Sequence, residues 1–255
     1  MAEPQFEVKL AESEAELLAA QRLRYRVFVQ ELGGSGSMVD HAGEFERDRF
    51  DPYFDHLILI DHSREVDALD RVVGLYRLMR GARAEAAGQF YSEDEYDLGP
   101  LRRSGRKLLE LGRSCLLPAY RGGAAMYHLW NGLAGYIDAH DVEILFGVAS
   151  FHGTDVADLA QPLSLLYHRH RAPKSLRVRS KSFQNMDLID EVDLDRRAAM
   201  MQVPALIKAY LRLGGVVGDG AYIDRAFNTT DICLIMDTAR MNAKRRKIYA
   251  REGRV

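Results

Sequence analysis

The chain has 255 residues, of which 47% are apolar and 28% charged, with 7 prolines and 2 cysteines. This composition excludes a disordered chain, a collagen-like repeat and a disulfide scaffold, and no apolar run approaches the roughly 18 residues of a membrane-spanning helix. The formal charge of −2, from 35 basic against 37 acidic residues, argues against a protein that coats nucleic acid. The thiols Cys115 and Cys233 and an N-terminus without a basic and apolar leader give the expectation of a cytoplasmic protein.

The periodicity predicts a first strand at 6–9 and then an amphipathic helix over 13–32, where Leu17, Ala20, Arg24, Val27 and Glu31 recur at three- and four-residue steps. Gly33-Gly34-Ser35-Gly36-Ser37 ends that helix in a loop of high backbone entropy, expected to be mobile. The chain then turns acidic and aromatic between Asp40 and Asp55. Strands at 56–61 and 71–79 are expected to pair as an antiparallel hairpin. Another strand at 107–116 is closed by Pro118, and 122–139 reads as a helix followed by a β-branched strand at 143–149. Strand, glycine turn, helix and strand make a crossover between parallel strands. Helices at 154–170 and 203–213 and strands at 216–223 and 231–237 complete the pattern. The expected fold is α/β, one domain over 1–255 with a mixed sheet flanked by helices and further helices after residue 150.

The stretch 108–126, LLELGRSCLLPAYRGGAAM, is the most informative. Its glycines expose successive backbone N–H groups at the positive end of the following helix, and such a turn binds phosphate. It resembles the pyrophosphate turn of the GCN5-related N-acetyltransferase superfamily, patterned as Gln or Arg, two residues, Gly, one residue, then Gly or Ala. Ala119, Gly122 and Ala124 fall on those positions, so the first departs from the pattern. Coenzyme A brings a pyrophosphate to such a turn, whereas a carrier-borne phosphopantetheine arm brings a single phosphodiester and needs fewer donors. Phosphopantetheine is accordingly expected at Arg121, Gly122, Gly123 and Ala124.

The segments Arg24-Tyr-Arg-Val-Phe28, 48–55, 74–77 and 110–113 also resemble the acyl-homoserine lactone synthases, a branch of that superfamily that takes acyl chains from acyl carrier protein. By this resemblance Arg26, Phe28, Asp48, Asp51, Arg77, Glu110 and Arg113 shape the active cleft. The tryptophan that branch carries after its first helix is absent, Gly33 and Gly34 lying there instead. A resemblance spread over nearly the full length is to the L-ornithine N-alpha-acyltransferases of bacterial ornithine lipid synthesis. It rests on 22–32, 90–98, 108–126, Gly147-Val-Ala-Ser-Phe-His-Gly-Thr-Asp155, 204–219 and Ala226-Phe-Asn-Thr-Thr-Asp-Ile-Cys233. It implies transfer of a 3-hydroxy fatty acyl group from acyl carrier protein to the α-amine of L-ornithine, giving lyso-ornithine lipid.

That chemistry sets demands on particular residues. The thioester carbonyl is polarised in this superfamily by a backbone N–H at a distortion of the strand before the turn, which makes the amides of Cys115, Leu116 and Leu117 the candidates. Glu110 is the expected base, acting directly or through water, with an internal ion pair as its bland alternative. On a regular strand Glu110 and Arg113 point to opposite faces, so a bulge must intervene if both line one cleft. Arg26 or Arg77 is expected to fork onto the carboxylate of ornithine, and Asp48 or Asp51 to hold its side-chain ammonium, unless these acids merely form a solvated loop. No bound cofactor or metal is expected, since His168 and His170 diverge on a helix, and Cys115 reads as a packed thiol.

The near-neutral total conceals two basic islands. One spans 169–181 with Arg169, Arg171 and Lys174, and the other spans 240–255. Either suits an acidic acyl carrier protein, and the second also suits peripheral contact with an anionic membrane. The competing readings are an acyltransferase for another acceptor (glutamine, glycine or a homoserine lactone precursor) and a non-catalytic carrier-protein or lipid-binding module.

Overall fold

A computed structural model describes residues 3–241. In chain order the main elements are β1 (Phe6–Leu10), α1 (Glu14–Arg24), β2 (Asp55–Asp61), β3 (Val72–Arg80), α2 (Gly81–Ala87), α3 (Gly99–Arg103), β4 (Leu108–Leu116), α4 (Ala124–Ala139), β5 (Ile144–His152), α5 (Ala160–His170), α6 (Arg196–Gln202), α7 (Ala205–Arg212), β6 (Val216–Val217), β7 (Tyr222–Asp224) and β8 (Thr229–Asp237). The chain divides into two compact units, one built from 3–88 with 111–141 and the other from 89–110 with 142–241. Strand β4 contributes to both. Read through it, the mixed sheet has eight strands in the order β1-β2-β3-β4-β5-β8-β6, with β7 also on β8.

In the first unit Ser13 starts α1 because its hydroxyl accepts the Glu16 N–H at 3.2 Å while the Glu16 carboxylate accepts the Ser13 N–H at 3.2 Å. The single helix expected over 13–32 instead changes pitch, and Tyr25–Glu31 is π-helical. Ala19, Ala20, Leu23 and Val27 pack on Ile58, Val72, Leu75 and Cys115. Strands β1 and β2 are antiparallel from Phe6↔Asp61 to Leu10↔Leu57, and β2 and β3 form the expected antiparallel pair. Consecutive strand residues face opposite sides, so Leu57 turns away from Ile58 and toward α4. There Gly132 is required, since a Cβ at that position would lie 2.4 Å from Val8 Cγ1. The stretch 38–54, expected only as an acidic and aromatic loop, forms a small antiparallel pair, Val39–Asp40 with Phe45–Glu46, and one 3-10 turn at Asp51–Tyr53.

In the second unit the parallel ladder of the expected crossover joins Leu108–Glu110 to Ile144–Phe146, and β5 then pairs antiparallel with β8 from Ile144↔Asp237 to His152↔Thr229. The strand expected at 216–223 is two short strands, because Gly218 and Gly220, the latter at φ +78°, turn the chain between them. The helix expected from 154 starts at Ala160. Asp155 Oδ1 accepts the Ala157 N–H at 2.9 Å, a local turn that competes with helix, and the later start leaves Pro162 in the first turn where its missing N–H does no harm. Helix α6 was not anticipated. Its Ala199 packs with Leu165 and Leu194 into a small core.

Candidate active site

An arginine on the apolar stripe of a helix must find its counter-charges inside the protein. Arg24, the last residue of α1, is fully buried. Its Nε pairs with the Glu46 carboxylate, its Nη1 donates to Asp51 Oδ1 at 2.5 Å, and its Nη2 lies 3.8 Å from Asp48 Oδ2. From β3, Arg77 Nη1 donates to both Asp48 Oδ2 and Asp51 Oδ1 at 2.7 Å, its guanidinium 4.3 Å from the Phe54 ring centre. From β4, Arg113 Nη2 donates to Glu46 Oε1 at 3.1 Å and approaches Asp48 Oδ2 at 3.6 Å, 5.7 Å from the Phe28 ring. Behind them, Gln21 Nε2 donates to Asp51 Oδ2 at 3.0 Å, and His56 Nε2 stands 3.2 Å from the Asp51 carbonyl.

Three guanidinium groups and three carboxylates thus balance one another, in an order of exposure that assigns them different work. Arg24 and Arg77 are at 0% and Glu46 and Asp51 at 2% and 4%, whereas Arg113 and Asp48 reach 12% and 17%. Burial alone would raise the carboxyl pKa values. Arg113 and Arg24 outweigh it at Glu46, which stays ionised well below the usual carboxylate range, and Arg24 and Arg77 outweigh it at Asp51, whose pKa is also lowered. His56 is pushed down to about 4, first by burial and then by Arg24 and Arg77 against the pull of Asp51. It is therefore neutral at pH 7. The buried four form a rigid base that presents one carboxylate and one guanidinium at its wetter edge.

Strand β4 is distorted at Arg113, whose φ is +47°, a conformation that costs a non-glycine residue about 1–3 kcal/mol. A bulge between Glu110 and Arg113 was required only if both line one cleft; the left-handed backbone at Arg113 is what the strand shows, and Glu110 is engaged elsewhere. Just past the strand, the Leu117 N–H donates to the Val73 carbonyl of β3 at 2.9 Å. Amides alternate along an extended chain, so the Leu116 N–H points to the other side. Leu117 is thereby removed from the three candidate oxyanion donors. Arg121 closes the following turn: Nε and Nη2 donate to the Leu116 carbonyl at 3.1 and 3.0 Å, and Nη1 and Nη2 to the Glu31 carboxylate at 2.5 and 2.7 Å. Gly122 sits at φ +79° and Gly123 is the N-cap of α4, which among the described residues receives no side-chain cap. A Cβ at Gly122 or Gly123 would meet nothing within 4 Å, so the space over the turn is open. Uncapped amides at the start of a 16-residue helix are suited to an anion.

Of the expected site residues, the fold brings Phe28, Asp48, Asp51, Arg77 and Arg113 together around this cluster. It does not bring Arg26 there. Arg26 lies on the outer side of the π-turn, with Nη2 2.8 Å from Asp70 Oδ1, and Arg24 occupies the place expected of it. Arg24 and Glu46 are thus site residues that the sequence reading missed, although Arg24 announced itself as a charge on the apolar stripe. Glu110, buried at 1% exposure in the other unit, accepts the Tyr91 N–H at 2.8 Å, the Ser92 N–H at 2.6 Å and the Ser92 hydroxyl at 2.5 Å. These bonds fix the 3-10 turn Tyr91–Asp94. The Cys115 thiol is pushed up to about 12 by burial, so only its backbone is a chemical candidate.

The basic island at 169–181 is partly neutralised. Arg169 pairs with Glu191 at 2.5 Å, Arg179 with Asp219 at 2.7 Å, and Arg171 lies over the Tyr167 ring, while Lys174 is exposed. His168 Nε2 is 3.0 Å from the Ile189 carbonyl. The second basic island, apart from Arg240 and Met241, lies outside the described residues. Among the described residues, no helix is long and apolar enough to cross a membrane.

A family profile described as "Acetyltransferase (GNAT) domain" matches residues 23–131, which include β2, β3, β4, the glycine turn and the start of α4. Among solved structures, an N-acyl amino acid synthase from uncultured soil microbes, FeeM, superposes with a TM-score of 0.52 at 13% identity, covering 92% of each chain. A coenzyme A-dependent acyl-homoserine lactone synthase, BjaI, gives 0.51 at 13% identity over 97% of this chain and 88% of that one. The mixed sheet, the matched domain and these superpositions define the GNAT fold. Curated relatives narrow the class. The L-ornithine N(alpha)-acyltransferase of Rhodobacter capsulatus is 60% identical over 98% of this chain and 97% of its own length, and that of Brucella abortus 42% identical over 97% and 89%. The chain belongs to the L-ornithine N(alpha)-acyltransferase family.

Proposed function

We propose that this acyltransferase moves a 3-hydroxy fatty acyl group from the phosphopantetheine thioester of acyl carrier protein to the α-amine of L-ornithine, giving lyso-ornithine lipid. The observation that carries the acceptor is the 60% identity over 98% of the chain to the Rhodobacter capsulatus relative of that name. The charge cluster supports it. Arg113, at the wetter edge, forks onto the α-carboxylate of the amino acid, and Asp48 beside it takes the side-chain ammonium. Arg77 and Asp51, expected in those roles as alternatives, are too deeply buried; Arg77 holds Asp48 in place and Asp51 anchors Arg77, while Glu46 holds Arg113.

In this reading the donor lies along the end of β4. The phosphodiester of its arm meets the amides of Gly123 and Ala124, and the thioester oxygen meets the Leu116 N–H, which stabilises the oxyanion as the amine attacks. The C–S bond then breaks, and the proton given up by the α-nitrogen passes through solvent to the departing sulfur, so that the carrier leaves as its thiol. Glu110 is assigned to the Tyr91–Asp94 turn, and its expected role as base is separated from this one by the Glu110→Gln experiment below. The phosphopantetheine belongs to the donor, so the enzyme itself carries no cofactor in this scheme. Arg169, Arg171 and Lys174 form the surface proposed for the acidic carrier, and the 240–255 island the peripheral membrane contact.

Release of carrier-protein thiol, followed with a thiol reagent in the presence of single amino acids, tests the acceptor. Release is expected with L-ornithine and at most a few per cent of that rate with glutamine, glycine or S-adenosylmethionine. Equal release with glutamine or glycine, or none with ornithine, would overturn the proposal.

A further inference from the structure

Glu31 ends the π-helical turn Tyr25–Glu31, and it reaches the glycine turn from there. Its two carboxylate oxygens accept from Arg121 Nη1 and Nη2 at 2.5 and 2.7 Å, the parallel fork that a phosphate would otherwise take. Arg121 is the only cationic side chain in the stretch 117–126. Pairing cancels its charge at the mouth of a turn that opens α4 without a side-chain cap. Neither partner is buried, Arg121 being 43% and Glu31 32% exposed, so the pair faces whatever approaches the turn.

We propose that Glu31 is a specificity-determining residue, which leaves the turn fit for a singly charged phosphodiester arm and disfavours the more highly charged coenzyme A. This rests on the donor's phosphate lying at the Gly122–Ala124 turn. A carrier-borne arm brings one negative charge, which the uncapped amides of α4 satisfy. Coenzyme A adds a second phosphoryl group in its pyrophosphate and a 3′-phosphate of about −1.5 to −2, and must place them near the Glu31 carboxylate, which already compensates the turn's own cation, Arg121. The same fork explains why Arg121 can sit in the turn without making it a pyrophosphate site. Of its five N–H groups, two are committed to the Leu116 carbonyl and two to Glu31.

The test compares kcat/KM for one acyl chain presented on carrier protein and on coenzyme A, in the wild type, Glu31→Gln, Glu31→Ala and Arg121→Gln, with melting curves for each. Glu31→Gln and Glu31→Ala are expected to raise the coenzyme A to carrier-protein ratio about tenfold, through a lower KM for the coenzyme A donor, with KM for ornithine unchanged. The gain should shrink as salt is raised, because it comes from exposed charges. Arg121→Gln is expected to raise KM for both donors. A ratio unchanged in both folded Glu31 variants, with Arg121→Gln still impairing both donors, overturns the role of Glu31 alone. If Arg121→Gln leaves both donors unaffected, the placement of the phosphate falls and the selectivity proposal with it.

Discussion

Replacing Glu110 with glutamine keeps the shape of the side chain and removes one of its two acceptor oxygens. The carboxylate faces two backbone N–H groups and one hydroxyl, at 2.8, 2.6 and 2.5 Å, and is 1% exposed. The hydroxyl of Ser92 can rotate to another acceptor, but the N–H groups of Tyr91 and Ser92 are fixed. Glutamine leaves at least one of them facing its own NH2 group, a buried donor without its acceptor. A hydrogen bond to a charged acceptor is worth about 1.5–3 kcal/mol and a buried unsatisfied donor costs about 1–3 kcal/mol, so a loss of about 2–4 kcal/mol is expected. Urea denaturation followed by far-ultraviolet circular dichroism measures it as a lower midpoint at constant slope. Activity measured well below that midpoint should fall with the loss of the Tyr91–Asp94 turn and recover in part in Glu110→Asp. A Glu110→Gln protein with an unchanged midpoint and no turnover would refute this reasoning and return the residue to the role of base.

The charge cluster yields three further expectations. Arg24→Met removes one of two guanidinium partners from each of the buried acids Glu46 and Asp51 and should cost about 3–5 kcal/mol in chemical denaturation; a loss below about 1 kcal/mol would contradict the pairing. Asp48→Asn should raise KM for ornithine about tenfold, equivalent to about 1.4 kcal/mol, while Asp51→Asn should act chiefly on stability; the reverse pattern would exchange their assignments. Stability should also fall in two stages on acidification. His56 has a folded pKa of about 4 against 6.5 for the unfolded chain, so the unfolded state binds its proton first. That contribution is complete above pH 6.5 and about 3 kcal/mol is lost between 6.5 and 4. Glu46 and Asp51 have depressed folded values, so their contribution is present above the unfolded carboxylate pKa of about 4 and is lost as pH falls below it. A melting temperature that stays level from pH 6.5 to 4.5 would contradict the first stage, and His56→Phe should flatten it.

Patterns of period two and period 3.6 were enough to locate β2, β3, β4, α4 and β5, because Leu57–Ile60 and Val72–Met79 are mostly apolar and Leu108–Leu116 is apolar at both ends, each between polar turns. The segment 81–103 carried no such run, and its short helices and the turn at Tyr91 are held by tertiary bonds, Glu110 among them. The candidate site was legible in its residue types and only partly in its membership. An arginine at 24 on an apolar stripe demands buried acids, yet which acids answer depends on the small Phe45–Glu46 strand and the turn at Asp51, neither of which has a periodic signature. Arg26 was expected in the cleft from the family resemblance, whereas the apolar stripe already placed Arg24 inward, and the π-helical turn from Tyr25 leaves Arg26 on the outer side with Asp70. The positive φ of Arg113 was likewise unreadable, since nothing in an arginine marks a left-handed backbone.

The central claim is that a fatty acyl group arrives on the α-nitrogen of ornithine. Incubation of the enzyme with 3-hydroxyacyl carrier protein and L-ornithine labelled at the α-nitrogen, followed by mass spectrometry and nitrogen NMR of the product, tests it directly. One acyl-ornithine is expected, whose labelled nitrogen is an amide and whose side-chain amine is still ionisable. An amide on the side-chain nitrogen, or an acyl product that does not contain ornithine, would contradict it.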